Sequence, residues 1–200
     1  MTTRIYVILD KSGSMEVCRK DTIGGFNSFV RKQKELKADN AFLSLYQFSN
    51  DYIVSYENKK IEEVEELTES TFVPDGMTAL LDAVGKTIHS IRPGDDDNVI
   101  IVIITDGDEN SSREYSKVVI NRMISEKKEK GWEFVFLGAN QDAIKEAQKI
   151  GIGADSSLTF STNVCNQAFE SLSGAIERSR STPVKKVNFT PQERINSISK

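Results

Sequence analysis

The sequence predicts an α/β domain built on a doubly wound (Rossmann-like), mostly parallel sheet with one antiparallel edge strand. Two uncharged apolar runs, Ile5 to Leu9 and Val99 to Ile104, have the length of strands buried on both faces, as in parallel sheets covered by helices. Such runs alternate along the chain with stretches whose apolar residues recur at helical spacing. Each run also empties at once into a polar loop, Asp10-Lys11-Ser12-Gly13-Ser14 and Thr105-Asp106-Gly107-Asp108-Glu109-Asn110. In open α/β sheets that carboxyl edge is where ligands bind.

Taken in order, Ile5 to Leu9 is the first strand. Asp21 to Leu36 then sets Ile23, Phe26, Phe29, Val30 and Leu36 on one helical face, with Gly24 and Gly25 weakening its start. Ala41 to Phe48 reads as a strand. Tyr52 to Tyr56 follows after only Ser49-Asn50-Asp51, so it must turn back as an antiparallel edge. Lys59 to Ser70 is charge-rich and weakly periodic, which predicts a surface connection with room for one helical turn. Thr71 to Thr78 is a loop punctuated by Pro74 and Gly76. It leads into a helix over Ala79 to Ile91, with Leu80, Leu81, Val84, Ile88 and Ile91 as its stripe, closed by Arg92-Pro93-Gly94.

Val99 to Ile104 is the central strand, Tyr115 to Glu129 an amphipathic helix, Trp132 to Leu137 a strand, and Gln141 to Ile150 a helix ended by Gly151. Ser157 to Phe160 is a short edge strand. Asn163 to Arg180 is a last helix that turns Phe169, Leu172 and Ile176 inward. Residues 1–180 thus make one domain and 181–200 a basic tail. Pro183 to Lys200 has few apolar residues and two prolines, so by itself it is expected to be disordered, extended or docked on a partner.

With 200 residues and 38% hydrophobic content, the chain suits one domain with a real core. No apolar run is long enough to span a membrane, and the first strand begins without a charged and apolar leader. Only Cys18 and Cys165 are present, which argues against a disulfide framework and for a reduced, cytoplasmic protein. Of the net charge of −4, the stretch from Arg178 to Lys200 contributes +5 and the rest −9, so the tail is suited to touch an acidic surface. Lys127, Lys128 and Lys130 alternate with Glu126 and Glu129, the pattern of an exposed helix face and not of a nucleic-acid stripe. No phosphate-cradling glycine motif is present.

The chemistry gathers in three loops. Asp10, Ser12 and Ser14 alternate with Lys11 and Gly13, so a curled loop turns one carboxylate and two hydroxyls to one side. An all-oxygen set of that kind suits a hard divalent cation such as magnesium or manganese. Thr78 opens the middle helix, and Asp106 follows the central strand. Asp-x-Ser-x-Ser at 10–14, Gly76-x-Thr78-x-Leu80 and Thr105-Asp106-Gly107 resemble, in order and placement, the three motifs of the von Willebrand factor A (vWA) domain and its metal-ion-dependent adhesion site. Phe136-Leu137-Gly138-Ala139-Asn140 and the helix after it are similar to small stand-alone, intracellular members from bacteria and phages. The resemblance covers roughly Arg4 to Arg180.

It implies the vWA fold, with Ser12, Ser14 and Thr78 as direct ligands of Mg2+ (or Mn2+ or Ca2+) and Asp10 and Asp106 acting largely through water. Neutral hydroxyl ligands leave the ion most of its charge and one position open for a carboxylate from a partner protein. The expected function is therefore a non-enzymatic interaction module. A metal-dependent phosphohydrolase would need a second carboxylate where Ser12 stands. A self-assembling structural protein is the other alternative, with Phe189, Ile195 and Ile198 docked in a neighbour's groove and Glu193 or the terminal carboxylate completing a neighbour's metal site. The remaining candidates have plainer readings. His89 lacks companions for zinc, Cys18 reads as a buried thiol, Trp132 as core, Asp75 as a cap, and Asp108 and Glu109 as solvated loop charges.

Overall fold

In the computed structural model, which describes residues 2–139 and 142–198, β1 (Thr2–Asp10) lies inside a six-stranded sheet. Its neighbours are β2 (Asn40–Phe48) and β4 (Asp97–Thr105), both parallel to it. Beyond β4 come β5 (Glu133–Ala139) and β6 (Ser157–Phe160), also parallel, and β3 (Tyr52–Lys60) closes the other edge antiparallel to β2. The order is β3-β2-β1-β4-β5-β6. The chain winds outward from β1 in one direction and then, from β4, in the other. The loops after β1 and β4 therefore face each other at the topological switch point, where open α/β sheets form a crevice.

Side-chain alternation along the central strands divides the core in two. Ile5, Val7 and Leu9 of β1 and Ile100, Val102 and Ile104 of β4 face α1 (Arg19–Glu35) and α5 (Cys165–Ser181). Tyr6 and Ile8, with Val99, Ile101 and Ile103, face α2 (Leu80–Ser90), α3 (Lys117–Lys128) and α4 (Ala143–Lys149). Burial on both faces is why these strands read as uninterrupted apolar runs. The antiparallel edge, the helices and the short strand at Ser157 stand where the sequence predicts them, with ends that differ by a few residues. None of the described helices is long and apolar enough to cross a membrane.

The stretch Lys59 to Ser70 departs from expectation. It is not a mere surface connection: β3 runs to Lys60, a 3-10 turn covers Ile61–Glu63, and Ile61, Val64 and Leu67 are buried in the α1 face of the core. Asn27 of α1 anchors this strap by donating from Nδ2 to the Leu67 carbonyl (2.9 Å) and accepting the Leu67 N–H on Oδ1 (2.8 Å).

The tail also departs. It folds back on its own domain, with Val187 and Phe189 in the same core cluster as Phe169 and Leu172 of α5. The Phe189 N–H donates to the Asp155 carbonyl, and a short helix, α6 (Pro191–Asn196), begins with a capping box between Thr190 and Glu193. Arg194 donates to the carbonyls of Ala154 and Ser157 (2.7 Å each), and the Ser161 N–H donates to the Ser197 carbonyl (3.0 Å). Glu193 pairs with Arg178 of α5 at 2.8 Å. Phe189 and Glu193 thus have partners within the chain, whereas Ile195 and Ile198 remain exposed. Asn140 of the Phe136–Asn140 stretch, Gln141 at the expected helix start and the terminal carboxylate of Lys200 lie outside the described residues.

Candidate metal centre

The five residues singled out in the sequence meet at one place, the crevice between the ends of β1 and β4. Asp10 is the last residue of β1 and is wholly buried. Its Oδ1 accepts the Ser12 N–H at 2.6 Å, which curls the loop back, and its Oδ2 accepts the Thr105 hydroxyl at 2.6 Å, which ties the loop to the end of β4. The Ser12 and Ser14 hydroxyls lie 3.1 Å apart, and Ser14 Oγ donates to Asp106 Oδ1 at 2.7 Å. A Cβ placed on Gly107 would stand 3.1 Å from Thr78 Oγ1 and 3.6 Å from Ser14 Oγ, so Thr78 faces the same spot across the glycine. Asp10, Ser12 and Thr78 form the buried floor, while Ser14 and Asp106 open toward solvent.

Backbone contacts lock the loops together. The Gly13 N–H donates to the Gly76 carbonyl (3.0 Å), and the Asp75 N–H donates to the Lys11 carbonyl (2.8 Å). Gly76 adopts a φ of +78°, and a Cβ there would fall 2.4 Å from Asn50 Oδ1, the atom that accepts the Met77 N–H. Only glycine fits this turn without displacement. Asn110 holds Thr78 from the other side: its Oδ1 accepts the Thr78 N–H, and its own N–H donates to the Thr78 carbonyl.

Burial pushes the Asp10 carboxyl up to about 6, against the lowering effect of the hydrogen bonds from Thr105 and Ser12. Burial likewise pushes Asp106 up, opposed by Ser14. Among the described residues no Lys or Arg forms an ion pair with either carboxylate. Two partly or wholly buried carboxylates without an ion-pair partner among the described residues are a costly arrangement that a bound cation would relieve. Nor do three or more His, Cys, Asp or Glu side chains gather as a metal cage among the described residues. The donor set is hydroxyls with two carboxylates, the chemistry of a hard cation and not of zinc-type thiolate and imidazole sites.

Several supporting residues were not legible beforehand. Thr105 positions Asp10, Asn50 and Asn110 position the Thr78 loop, and Glu109 does more than sit in solvent. Its carboxylate accepts the N–H groups of Leu81, Ser111 and Ser112 and the Ser112 hydroxyl, capping the start of α2. Asp82 similarly gathers the N–H groups of Arg113, Glu114 and Tyr115. Asp75 is exposed and His89 is exposed, whereas Trp132 is core, with Lys127 Nζ 4.4 Å above its ring.

The family model for the von Willebrand factor type A domain matches residues 5–175. None of the curated proteins matches the chain. Among solved structures, the chain resembles proximal thread matrix protein 1 from the mussel byssus with a zinc-occupied MIDAS motif. The match has a TM-score of 0.61 at 16% identity, over 90% of this chain and 45% of that one. It is also similar to a von Willebrand factor type A protein from Catenulispora acidiphila (TM-score 0.59, 17% identity, 87% and 42% covered). A third is the ArnB paralog VWA2 from Sulfolobus acidocaldarius (TM-score 0.57, 21% identity, 86% and 44% covered). The chain spans less than half the length of each of these proteins.

Proposed function

Since this chain belongs to the von Willebrand factor type A domain family, we propose that it is a divalent-cation-dependent module that grips an acidic residue of a partner protein. Ser12, Ser14 and Thr78 would hold the ion directly, and Asp10 and Asp106 would hold it through water, with Mg2+ as the expected ion and Mn2+ or Ca2+ as substitutes. The observation that carries this reading is the convergence of three hydroxyls on two carboxylates that no Lys or Arg pairs with among the described residues. The zinc-occupied motif named for the mussel protein supports it. An ion held there would supply an electrophilic position for an incoming carboxylate. This chain's own residues hold the hydroxyls in register and leave the Ser14 and Asp106 side accessible.

The reading is non-enzymatic. Ser12 stands where a phosphohydrolase of related topology needs a second carboxylate, and the two carboxylates of the site are engaged by the Ser12 N–H and the Thr105 and Ser14 hydroxyls. It is also cytoplasmic, on the strength of two reduced cysteines. A contact between an ion and a carboxylate shielded from water is far stronger than a surface salt bridge, so one acidic side chain suffices to anchor the partner.

Water-proton relaxation with Mn2+ tests the proposal. Wild type is expected to bind a stoichiometric ion with exchangeable water, and added acetate, standing in for the partner's carboxylate, is expected to displace that water. Thr78→Ala is expected to bind neither. Mn2+ binding that survives Thr78→Ala would refute the ligand set, and bound water insensitive to acetate would refute the carboxylate-gripping role.

A further inference from the structure

A cavity of about 400 Å³ opens beside the metal crevice, between the β3 edge of the sheet and the strap that follows it. Ile53 and Tyr56 of β3, Leu67 of the strap and Val73 of the loop leading to Thr78 give it apolar walls. Lys11 belongs to both places, since it stands between Asp10 and Ser12 in the metal loop and also lines the cavity. Its backbone is fixed on both sides: the Lys11 N–H donates to the Phe48 carbonyl at 2.7 Å, and its carbonyl accepts the Asp75 N–H at 2.8 Å.

The cavity is held in shape by the protein itself. Buried Gln47 donates from Nε2 to Ser55 Oγ (2.9 Å) and to the Thr71 carbonyl (3.0 Å), joining β2, β3 and the loop around it. The strap wall is anchored by Asn27 at Leu67 and by Lys34, whose Nζ donates to the Val64 carbonyl at 2.8 Å. Walls fixed in advance leave little ordering for a ligand to impose. Two acidic residues of the lining, Glu65 and Glu66, are engaged by Lys59 (3.0 Å) and Arg31 (2.7 Å). Lys11 has no ion pair among the described residues. The lip is apolar as well: Ile53 and Val73 are 44% and 50% exposed, and Met77, next to Thr78, is 49% exposed.

We propose that this cavity is a second subsite for the partner gripped at the metal, and that it takes an aromatic side chain set within four residues of the gripped acid in an extended segment. The proposal rests on the carboxylate-gripping reading of the crevice and adds to it the kind of partner that fits. An extended chain advances about 3.3 Å per residue, so four residues reach about 13 Å from the crevice into its neighbour. Charge complementarity runs in the same direction, because the unpaired Lys11 between the two subsites favours an acidic segment over a basic one. A lone carboxylate is offered by every acidic surface and selects nothing. An aromatic anchor seated in a walled cavity beside it supplies the selection.

Peptide competition on the full chain loaded with Mn2+ tests the subsite. The probes are capped peptides with one Asp and one Phe separated by zero to three glycines, in both orders, each compared with the same peptide carrying Ala for Phe. The readout is the concentration that displaces ion-bound water in proton relaxation. At one spacing or more, the Phe peptide is expected to act at about tenfold lower concentration than its Ala counterpart. Ile53→Lys and Val73→Lys, two half-exposed positions outside the ligand set, should each erase that advantage and leave displacement by acetate unchanged. Phe and Ala peptides that act alike at every spacing, or an advantage that survives both variants, would overturn the subsite while the metal reading stands. Bound water that neither acetate nor any peptide displaces would overturn both.

Discussion

Replacing Asp10 by Asn separates the cost of a buried charge from the benefit of a bound ion. The substitution keeps shape and hydrogen bonding. An amide Oδ1 still accepts the Ser12 N–H, while Nδ2 donates to Thr105 Oγ1, whose proton turns to the Gly107 carbonyl 3.2 Å away. Burial pushes Asp10 from an ordinary 3.8 up to about 6, a gap worth about 3 kcal/mol at about 1.4 kcal/mol per unit. The sign follows from linkage. A carboxyl that ionises less readily when folded leaves metal-free stability whole below its unfolded value and removes it as pH rises through about 6. Above that pH, in chelator, Asp10→Asn should therefore melt about 6–12 °C higher than wild type, at about 2–4 °C per kcal/mol for a chain of this size.

Adding Mg2+ should reverse the order, raising the wild-type midpoint by mass action while leaving the variant where it was. Calorimetry from acid to neutral pH, with and without Mg2+, reads all of this. A variant less stable than wild type in chelator above that range would refute the reasoning. It would mean that the protein alone satisfies the Asp10 charge and that no cation is called for.

The other predictions concern the parts that hold the site and tail. Gly76→Ala forces a side chain at φ +78° against Asn50, and should weaken Mn2+ binding by at least tenfold while the far-UV spectrum is unchanged. Asn27→Ala leaves the buried Leu67 N–H without its acceptor and should cost about 2 kcal/mol in urea melts, against little if the strap were a surface connection. Phe189→Ala empties a buried site beneath the tail and should cost about 3 kcal/mol, with cleavage by trypsin at Lys185 and Lys186 as the sensitive readout. The Arg178 ion pair and the Thr190 N–H hold Glu193 below its ordinary range despite burial. Its contribution is therefore present above about pH 4.5 and lost as pH falls through the lower folded value, and hydrogen exchange in residues 190–197 should speed up there first.

The sheet was legible because β1 and β4 are buried on both faces, and double burial writes itself as an apolar run. The ligand-bearing loops were legible because spacing and strand ends coincide. What escaped was whatever depends on tertiary partners. Ile61, Val64 and Leu67 are outnumbered by Glu62, Glu63, Glu65 and Glu66, so the strap looks like solvent-facing chain until α1 offers Asn27 to receive it. The tail has too little apolar area to fold alone. Val187 and Phe189 nonetheless find a ready slot against α5, and α6 needs only the capping box and Arg178 to settle. Likewise Thr105, Asn110 and Glu109 look like any loop polar residues. A side chain that hydrates and one that caps a distant backbone have the same letter, and only the fold distinguishes them.

The most direct measurement is anomalous diffraction from crystals grown with Mn2+. A peak is expected in the crevice between the ends of β1 and β4, about 2.2 Å from the hydroxyl oxygens of Ser12, Ser14 and Thr78 and farther from Asp10 and Asp106. A peak bound directly by both aspartates with the hydroxyls turned away would contradict the ligand set, and a crevice without manganese at saturating concentration would contradict the metal centre itself.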